Sequence, residues 1–169
     1  MPLSYSILAR PLSEAWSEFV HPSDFLNEYV VPSAEHWKAN QTSKHLAVHA
    51  ISQIDIMAEV VANHIGRKAR AYRDDLGQRY PALAKIRDAH DSHKHGQLNR
   101  QTALFVSQGQ RPDEAVGHAF FVGVTHLSGP LTPFTYLALT LNDGSTEKVY
   151  TLIKDGMDAW AQEIAALGI

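Results

Sequence analysis

The stretch TSKHLAVHAISQIDIMAEVVANHI, residues 42–65, decides the fold, because its apolar residues recur at the spacing of one long amphipathic helix. At about 100° per residue, these side chains share one broad face. They are Leu46, Ala47, Ala50, Ile51, Ile54, Met57, Ala58, Val61 and Ile65. Gly66 follows and is placed to end the helix. The other side carries Ile56 and Val60, so we expect a second contact there, within the fold or across a dimer.

The residues before this helix predict a helical N-terminal segment, residues 1–40, interrupted by Pro2, Pro11, Pro22 and Pro32. Short helical pieces begin at Ser13 and Ser23, because a serine side chain can accept a hydrogen bond from the first turn of a helix. Aromatic residues are expected to hold this segment against the rest of the chain. They are Trp16, Phe19, Phe25, Tyr29 and Trp37.

The residues after Gly66 predict two more helices, so that residues 42–98 form the core of a helical bundle. The first covers residues 67–76 and ends at Gly77. The second begins near Pro81, since proline suits the first turn of a helix. Its inward stripe is expected to comprise Ala82, Leu83, Ile86, Ala89, His90 and His93. The side chains expected to face away are Asp88, Asp91, Ser92 and His95, with Arg87 and Lys94 on the flank.

The last third of the chain changes to a strand pattern. Residues 116–152 predict an antiparallel sheet with strands at 119–126, 134–141 and 146–152, and Asn142-Asp-Gly-Ser145 is a strong hairpin signal. Residues 155–168 predict a closing helix capped by Asp155, with Trp160, Ile164 and Leu167 turned inward. Residues 1–169 are therefore predicted as one α+β domain. It is mainly a helical bundle with a C-terminal three-stranded antiparallel sheet and a closing helix.

Composition limits the classes of function. The chain has 169 residues and a net charge of −3, which argues against a broad nucleic-acid-binding surface but not against a small basic site. It has no cysteine, so disulfides and thiolate zinc sites are excluded. The sequence contains no run of roughly 20 apolar residues, no signal peptide and no glycine-rich phosphate or dinucleotide motif. We therefore expect no membrane partner, no cofactor and a cytoplasmic location.

The candidate chemistry is concentrated in RDAHDSHKH, residues 87–95. This stretch holds three of the ten histidines, two aspartates, an arginine and a lysine. Pro81 before it and Gly96 after it place it in the C-terminal half of a helix. So many titratable groups suggest acid–base chemistry, phosphate binding or metal binding.

Arg87, the polar residue Asp88, four more residues and His93 together resemble the motif of the HEPN superfamily. Its members are small helical bundles, many of which are metal-independent ribonucleases. The resemblance covers about residues 42–98 and leaves the β-rich tail outside it. It implies a homodimer that acts on RNA without a cofactor, as an endoribonuclease of a toxin or phage-defence type.

The same resemblance implies roles for individual residues. Arg87 would bind the scissile phosphate, because its planar guanidinium bonds phosphate oxygens bidentately and stays charged. His93 would be the general base toward a ribose 2′-hydroxyl, with Asp88 as the polar residue of the motif. Arg87 and His93 are about 120° apart around a helix. His95, which we expect to be more exposed, is therefore a second candidate for the base.

Two interpretations without chemistry stand beside this one. In the first, the stretch is a solvated face in which Arg87 and Asp91 form an i,i+4 ion pair, and the basic residues at its end complement the helix dipole. In the second, His90 or His93 is a buried neutral histidine with one hydrogen-bond partner. Either would suit a non-catalytic protein-interaction module.

A metal-dependent hydrolase is the remaining alternative. His45 and His49 form an i,i+4 pair that can ligate one ion, and His90, Asp91, His93 and His95 offer further ligands. His90-Asp91 also resembles the His-Asp pair of the HD phosphohydrolases. However, His45 and His49 face away from the main apolar stripe of their helix, and we expect them to be surface or interface residues.

Overall fold

The fold was obtained as a computed structural model that describes residues 20–95, 112–119 and 132–169. Its elements in chain order are α1 (Pro22–Phe25), a π-helical turn (Leu26–Val30), α2 (Val31–Lys38), α3 (Lys44–His64), α4 (Ala69–Arg79), α5 (Pro81–His95), β1 (Asp113–Ala119), β2 (Thr132–Thr140), β3 (Thr146–Lys148) and α6 (Val149–Leu167). The three strands form an antiparallel sheet in the order β1-β2-β3. The predicted α+β class, with helices dominant, is confirmed.

Helix α3 is the centre of the bundle, as its wide apolar face predicts. Ser43 caps it by accepting a hydrogen bond from the Leu46 amide, and Gly66 follows its end in the left-handed conformation, with φ 67°. Helices α1, α2, α4, α5 and α6 all contact it. The residues of α3 that are completely buried are Ala47, Ala50, Ile54, Met57, Val61 and Ala62.

The N-terminal segment is more continuous than predicted. Pro32 does not break it, because the π-helical turn precedes α2 and Pro32 sits in the first turn of α2, where a missing amide hydrogen matters least. The predicted cap at Ser23 is also wrong, since the His21 side chain caps α1 by accepting from the Ser23 amide. Trp37 is buried, as expected, whereas Tyr29 is largely exposed. The predicted cap at Ser13, with Trp16 and Phe19, lies outside the described residues.

Helix α4 passes through Gly77, where we predicted that it would end. A Cβ atom at Gly77 would lie 3.3 Å from the Cβ of Ala84, so this glycine allows close packing between α4 and α5. The helix ends instead at Arg79, because Tyr80 precedes a proline and adopts an extended conformation. Helix α5 begins at Pro81, as predicted.

The sheet and the closing helix differ from the prediction in their bounds. The hairpin at Asn142–Ser145 is confirmed, with Gly144 in the left-handed region and Leu141 donating to the Ser145 carbonyl. However, the sheet begins at Asp113, ahead of residue 116. Part of the first predicted strand, residues 120–126, lies outside the described residues.

The closing helix begins at Val149, where we had predicted a strand continuing to residue 152. Val149, Leu152 and Ile153 are buried at helical spacing, and this period outweighs the β-branched composition of the segment. Asp155 therefore lies inside the helix and does not cap it. Trp160 is buried as predicted, but Leu167 is exposed, because the last turn extends past the buried part of α6.

Helix α6 packs against α3, α5 and two strands, so it joins the sheet to the bundle. None of the helices within the described ranges is long and apolar enough to cross a membrane.

Candidate functional site

Helix α5 distributes the residues of the 87–95 stretch differently from the sequence prediction. Asp88 and Ser92, which we expected to face away, are buried, and each interacts with another group. His93, which we expected to face inward, is exposed, as is His95. The reason is that α5 packs against α3 and α4 on one side and α6 on another, which buries an arc wider than its apolar stripe. His93 escapes burial because it lies in the last turn.

A polar cluster forms where α3, α4 and α5 meet. Ser52 and Asp55 come from α3, Arg73 from α4, and Arg87 and His90 from α5. We call these five residues the helix-junction cluster. Arg87 and His90 thus both lie near the carboxyl group of Asp55. Arg87 bonds Asp74 of α4, whereas His93 and His95 lie exposed in the last turn of α5.

Asp55 and Arg73 form the buried ion pair of this cluster. Nη2 of Arg73 lies 2.7 Å from Oδ2 of Asp55, whose side chain is only 3% exposed, and Nη1 lies 3.2 Å from Glu59. Burial raises the pKa of Asp55 to about 6, although Arg73 and Arg87 both favour the carboxylate. An acidic group with this pKa can be protonated or charged within the physiological range.

His90 links the ion pair to Ser52. Its Nδ1 lies 3.0 Å from Oγ of Ser52, and its Nε2 lies 3.9 Å from Oδ2 of Asp55. Burial lowers the pKa of His90, while the neighbouring Asp91 opposes this shift. At neutral pH the imidazole is therefore largely uncharged, which is the state in which it can accept a proton.

Arg87 supplies the second cation. Its side chain is 13% exposed, and its Nη1 donates to Oδ1 of Asp74 at 2.7 Å. Its Nε and that of Arg73 are buried without a hydrogen-bond partner. Both arginines and Asp55 line a cavity of about 10 Å³ that also borders Trp160.

A second buried cluster lies between α4 and α6, and its contacts serve stability. Glu163 of α6 accepts hydrogen bonds from the Tyr72 hydroxyl at 2.7 Å and from both Nη atoms of Arg79. Burial alone would raise the pKa of Glu163, but the bonds from Arg79 and Tyr72 outweigh it and lower the pKa. This arrangement satisfies a buried carboxylate and ties α4 to α6.

The expected metal ligands do not assemble. His45 and His49 are exposed on α3. Within residues 20–95, 112–119 and 132–169, no three His, Asp or Glu side chains are placed to hold a metal ion.

Three members of the helix-junction cluster, Ser52, Asp55 and Arg73, were not predicted from the sequence. Asp55 carried a usable signal, because it falls on the apolar stripe of α3 beside Ile51 and Ile54, where a charge needs a partner. Ser52 and Arg73 carried none, since their roles depend on how α4 and α5 dock on α3.

No family model, curated protein or solved structure matches this chain. The HEPN resemblance of α5 therefore stays a prediction from the motif.

Proposed function

We propose that this protein cleaves RNA without a metal ion, at the helix-junction cluster. One observation carries the proposal: His90 and the carboxyl group of Asp55 lie at the same helix junction as Arg73 and Arg87. Cleavage of an RNA phosphodiester requires a base for the 2′-hydroxyl, an acid for the leaving 5′-oxygen and a cation for the phosphate. The HEPN-like motif of α5 supports RNA as the substrate.

Each member of the cluster has a role in this proposal. Arg87 binds the scissile phosphate through its guanidinium. His90 takes the proton of the 2′-hydroxyl, the 2′-oxygen attacks phosphorus, and the 5′-oxygen leaves with a proton from the site. Asp55, with a pKa of about 6, is partly protonated near neutral pH, so the pair of His90 and Asp55 supplies both acceptor and donor.

The geometry favours His90 over His93 and His95 as the base. His90 is about one turn from Arg87, a rise of about 4.5 Å along the helix axis. The corresponding rises from Arg87 to His93 and to His95 are about 9 Å and about 12 Å. His90 also has fixed partners, which orient its ring. In the alternative that the motif implies, His93 or His95 is the general base.

Cleavage of a single-stranded RNA by the purified chain in EDTA tests the proposal. We expect EDTA-resistant cleavage that Arg87→Ala abolishes and Arg70→Ala leaves intact. Arg70 is the matched control because it is an exposed arginine of α4 outside the cluster. If the wild-type chain cleaves no RNA and Arg87→Ala changes only stability, the cluster is structural and the chain is an interaction module. Cleavage that EDTA removes would instead identify a metal-dependent hydrolase.

The homodimer that the HEPN resemblance implies belongs to the same proposal, as does the cytoplasmic location that an RNA substrate suits. Sedimentation of the full chain at micromolar concentration tests the dimer. We expect a mass twice that of one chain, and a single-chain mass at all concentrations would contradict it.

A further inference from the structure

The hydrogen bond between Ser52 and His90 has a direction, which α3 imposes. Oγ of Ser52 lies 2.8 Å from the Val48 carbonyl oxygen, one turn earlier in the same helix. A carbonyl oxygen only accepts, so the single hydroxyl hydrogen of Ser52 is used in this bond. Towards His90 the hydroxyl oxygen offers only lone pairs. The donor in the 3.0 Å contact must then be Nδ1 of the imidazole.

This direction determines which nitrogen of His90 is the base. A neutral imidazole carries one hydrogen, and here that hydrogen is on Nδ1. The lone pair is therefore on Nε2, the nitrogen that lies 3.9 Å from Oδ2 of Asp55. Free histidine favours the opposite tautomer, so the protein must hold this one in place.

We propose that Ser52 is a positioning residue that holds neutral His90 with its hydrogen on Nδ1, which makes Nε2 the nitrogen that exchanges a proton at the site. The catalytic meaning of this assignment rests on the proposed function. The tautomer itself does not, because it follows from the contacts of Ser52 with Val48 and His90 alone.

Charged groups from three helices act on His90 or on the neighbouring carboxyl group of Asp55. Asp55 and Glu59 come from α3 and Arg73 from α4. Those from α5 are Arg87, Asp91, His93 and Lys94. Burial, Asp91, Arg73, Lys94 and His93 shift the proton affinity of His90, but the tautomer of its neutral form is set by the hydrogen bond to Ser52.

Long-range ¹H–¹⁵N correlation of the histidine side chains tests the assignment directly. The spectra are recorded on the full chain at about pH 8, where imidazoles are neutral. His90→Gln identifies the His90 signals by their loss. We expect the Nδ1–H pattern for His90 in the wild-type chain and in Ser52→Thr, which keeps the hydroxyl. In Ser52→Ala we expect a shift toward the Nε2–H pattern.

Ser33 provides a matched control. Its hydroxyl likewise donates to the carbonyl one turn earlier, that of Tyr29, but it sits on α2, away from His90. Ser33→Ala should leave the His90 signals unchanged. An Nε2–H pattern in the wild-type chain, or an unchanged Nδ1–H pattern in Ser52→Ala, would overturn the proposal. A circular dichroism spectrum equal to that of the wild type shows that each variant is folded.

The cleavage assay then separates this proposal from the proposed function. A positioning hydrogen bond of about 0.5–1.5 kcal/mol corresponds to a loss in kcat of about 2- to 12-fold in Ser52→Ala, with KM unchanged and recovery in Ser52→Thr. If the Nδ1–H pattern is present but no RNA is cleaved, the proposed function fails and the tautomer assignment stands. If cleavage depends on His90 but the tautomer does not depend on Ser52, only the Ser52 proposal fails.

Discussion

Asp55 places an ionisable group inside the bundle, and its environment decides its charge. Its side chain is 3% exposed, and Oδ2 is bonded to Arg73. Loss of water raises the pKa of Asp55, and the two neighbouring arginines reverse only part of that shift. The carboxyl group is therefore protonated more readily in the folded chain than in the unfolded chain, so its titration is linked to stability.

The first prediction follows from the sign of this linkage. Because the folded pKa is about 6 and the ordinary value is 3.8, the stabilisation from protonated Asp55 is complete below pH 3.8 and is lost as pH rises through 6. We therefore compare the free energies of unfolding of the wild-type chain and of Asp55→Asn. Relative to the variant, the wild-type chain should be about 1 kcal/mol more stable at pH 5 than it is at pH 7. Urea denaturation at both pH values measures it. A difference that does not change with pH would show that Asp55 has an ordinary pKa.

The second prediction concerns Asp74, whose carboxylate bonds the guanidinium that we assign to phosphate. Asp74 is half-exposed, and in the proposed site it would compete with a phosphate for the same donors of Arg87. Asp74→Asn should therefore raise the affinity for single-stranded RNA by about 1.5- to 5-fold, the range of an exposed ion pair. Fluorescence anisotropy of a labelled oligonucleotide measures this change. Both proteins compared carry His90→Ala, so that the RNA is not cleaved during the measurement.

Asp75→Asn is the control for that experiment. It removes the same charge one residue away, but Asp75 is bonded to Arg67 and Arg79, away from Arg87. Equal gains in Asp74→Asn and Asp75→Asn would mean that the effect comes from overall charge, and that Asp74 does not compete at Arg87.

At the scale of the helices, two glycines lie at close contacts between neighbouring helices. A Cβ atom at Gly156 of α6 would fall 2.2 Å from Cδ1 of Ile86, a fully buried side chain of α5. At Gly77 the nearest atom would be 3.3 Å away. The two positions therefore differ in the room they leave for a methyl group, although both lie inside helices.

This difference is the third prediction. Gly156→Ala should lower the free energy of unfolding by about 1–3 kcal/mol, since overpacking a filled core forces neighbouring side chains to move. Gly77→Ala should be close to neutral, because its mild crowding is offset by the better helix propensity of alanine. Thermal denaturation of both variants checks this. A Gly156→Ala variant as stable as Gly77→Ala would contradict the α5–α6 packing.

The helices were also the part of the fold that sequence patterns predicted best. From the apolar stripe of α3 and the proline at the start of α5, the ends of α3 and the start of α5 were predicted to within two residues of their observed positions. Errors arose where packing overrides a local signal. Gly77 resembles a helix end but serves a close contact, and the β-branched residues near Thr151 resemble a strand but join α6.

The candidate site was less predictable for the same reason. The sequence named Arg87 and His90 in separate hypotheses, and only the docking of α5 on α3 and α4 shows that they belong to one cluster. A single helix fixes which residues share its face. It does not show which other helix will supply Ser52, Asp55 or Arg73.

Across the whole molecule, Glu163 joins the C-terminal helix to the helical bundle. It is buried at 2% exposure in α6, and its partners, Tyr72 and Arg79, belong to α4. The fourth prediction is that Glu163→Gln lowers the free energy of unfolding by about 2 kcal/mol, because the guanidinium of Arg79 loses its buried counter-charge. Chemical denaturation measures the loss.

Asp158→Asn provides the comparison on the same helix. Asp158 forms an exposed i,i+4 pair with Lys154. Its removal should change stability by no more than about 0.5 kcal/mol. If the two variants are equally stable, Glu163 does not hold α6 to the bundle.

Whether His90 is the general base is tested by comparing His90→Ala with His93→Ala in cleavage of a single-stranded RNA in EDTA. Both variants remove a histidine from α5, but only His90 contacts Ser52 and Asp55. We expect His90→Ala to lose about 10²- to 10⁴-fold in rate, the contribution typical of a general base, while His93→Ala keeps the wild-type rate. Loss of cleavage in His93→Ala with full activity in His90→Ala would contradict it, as would a wild-type chain that does not cleave RNA.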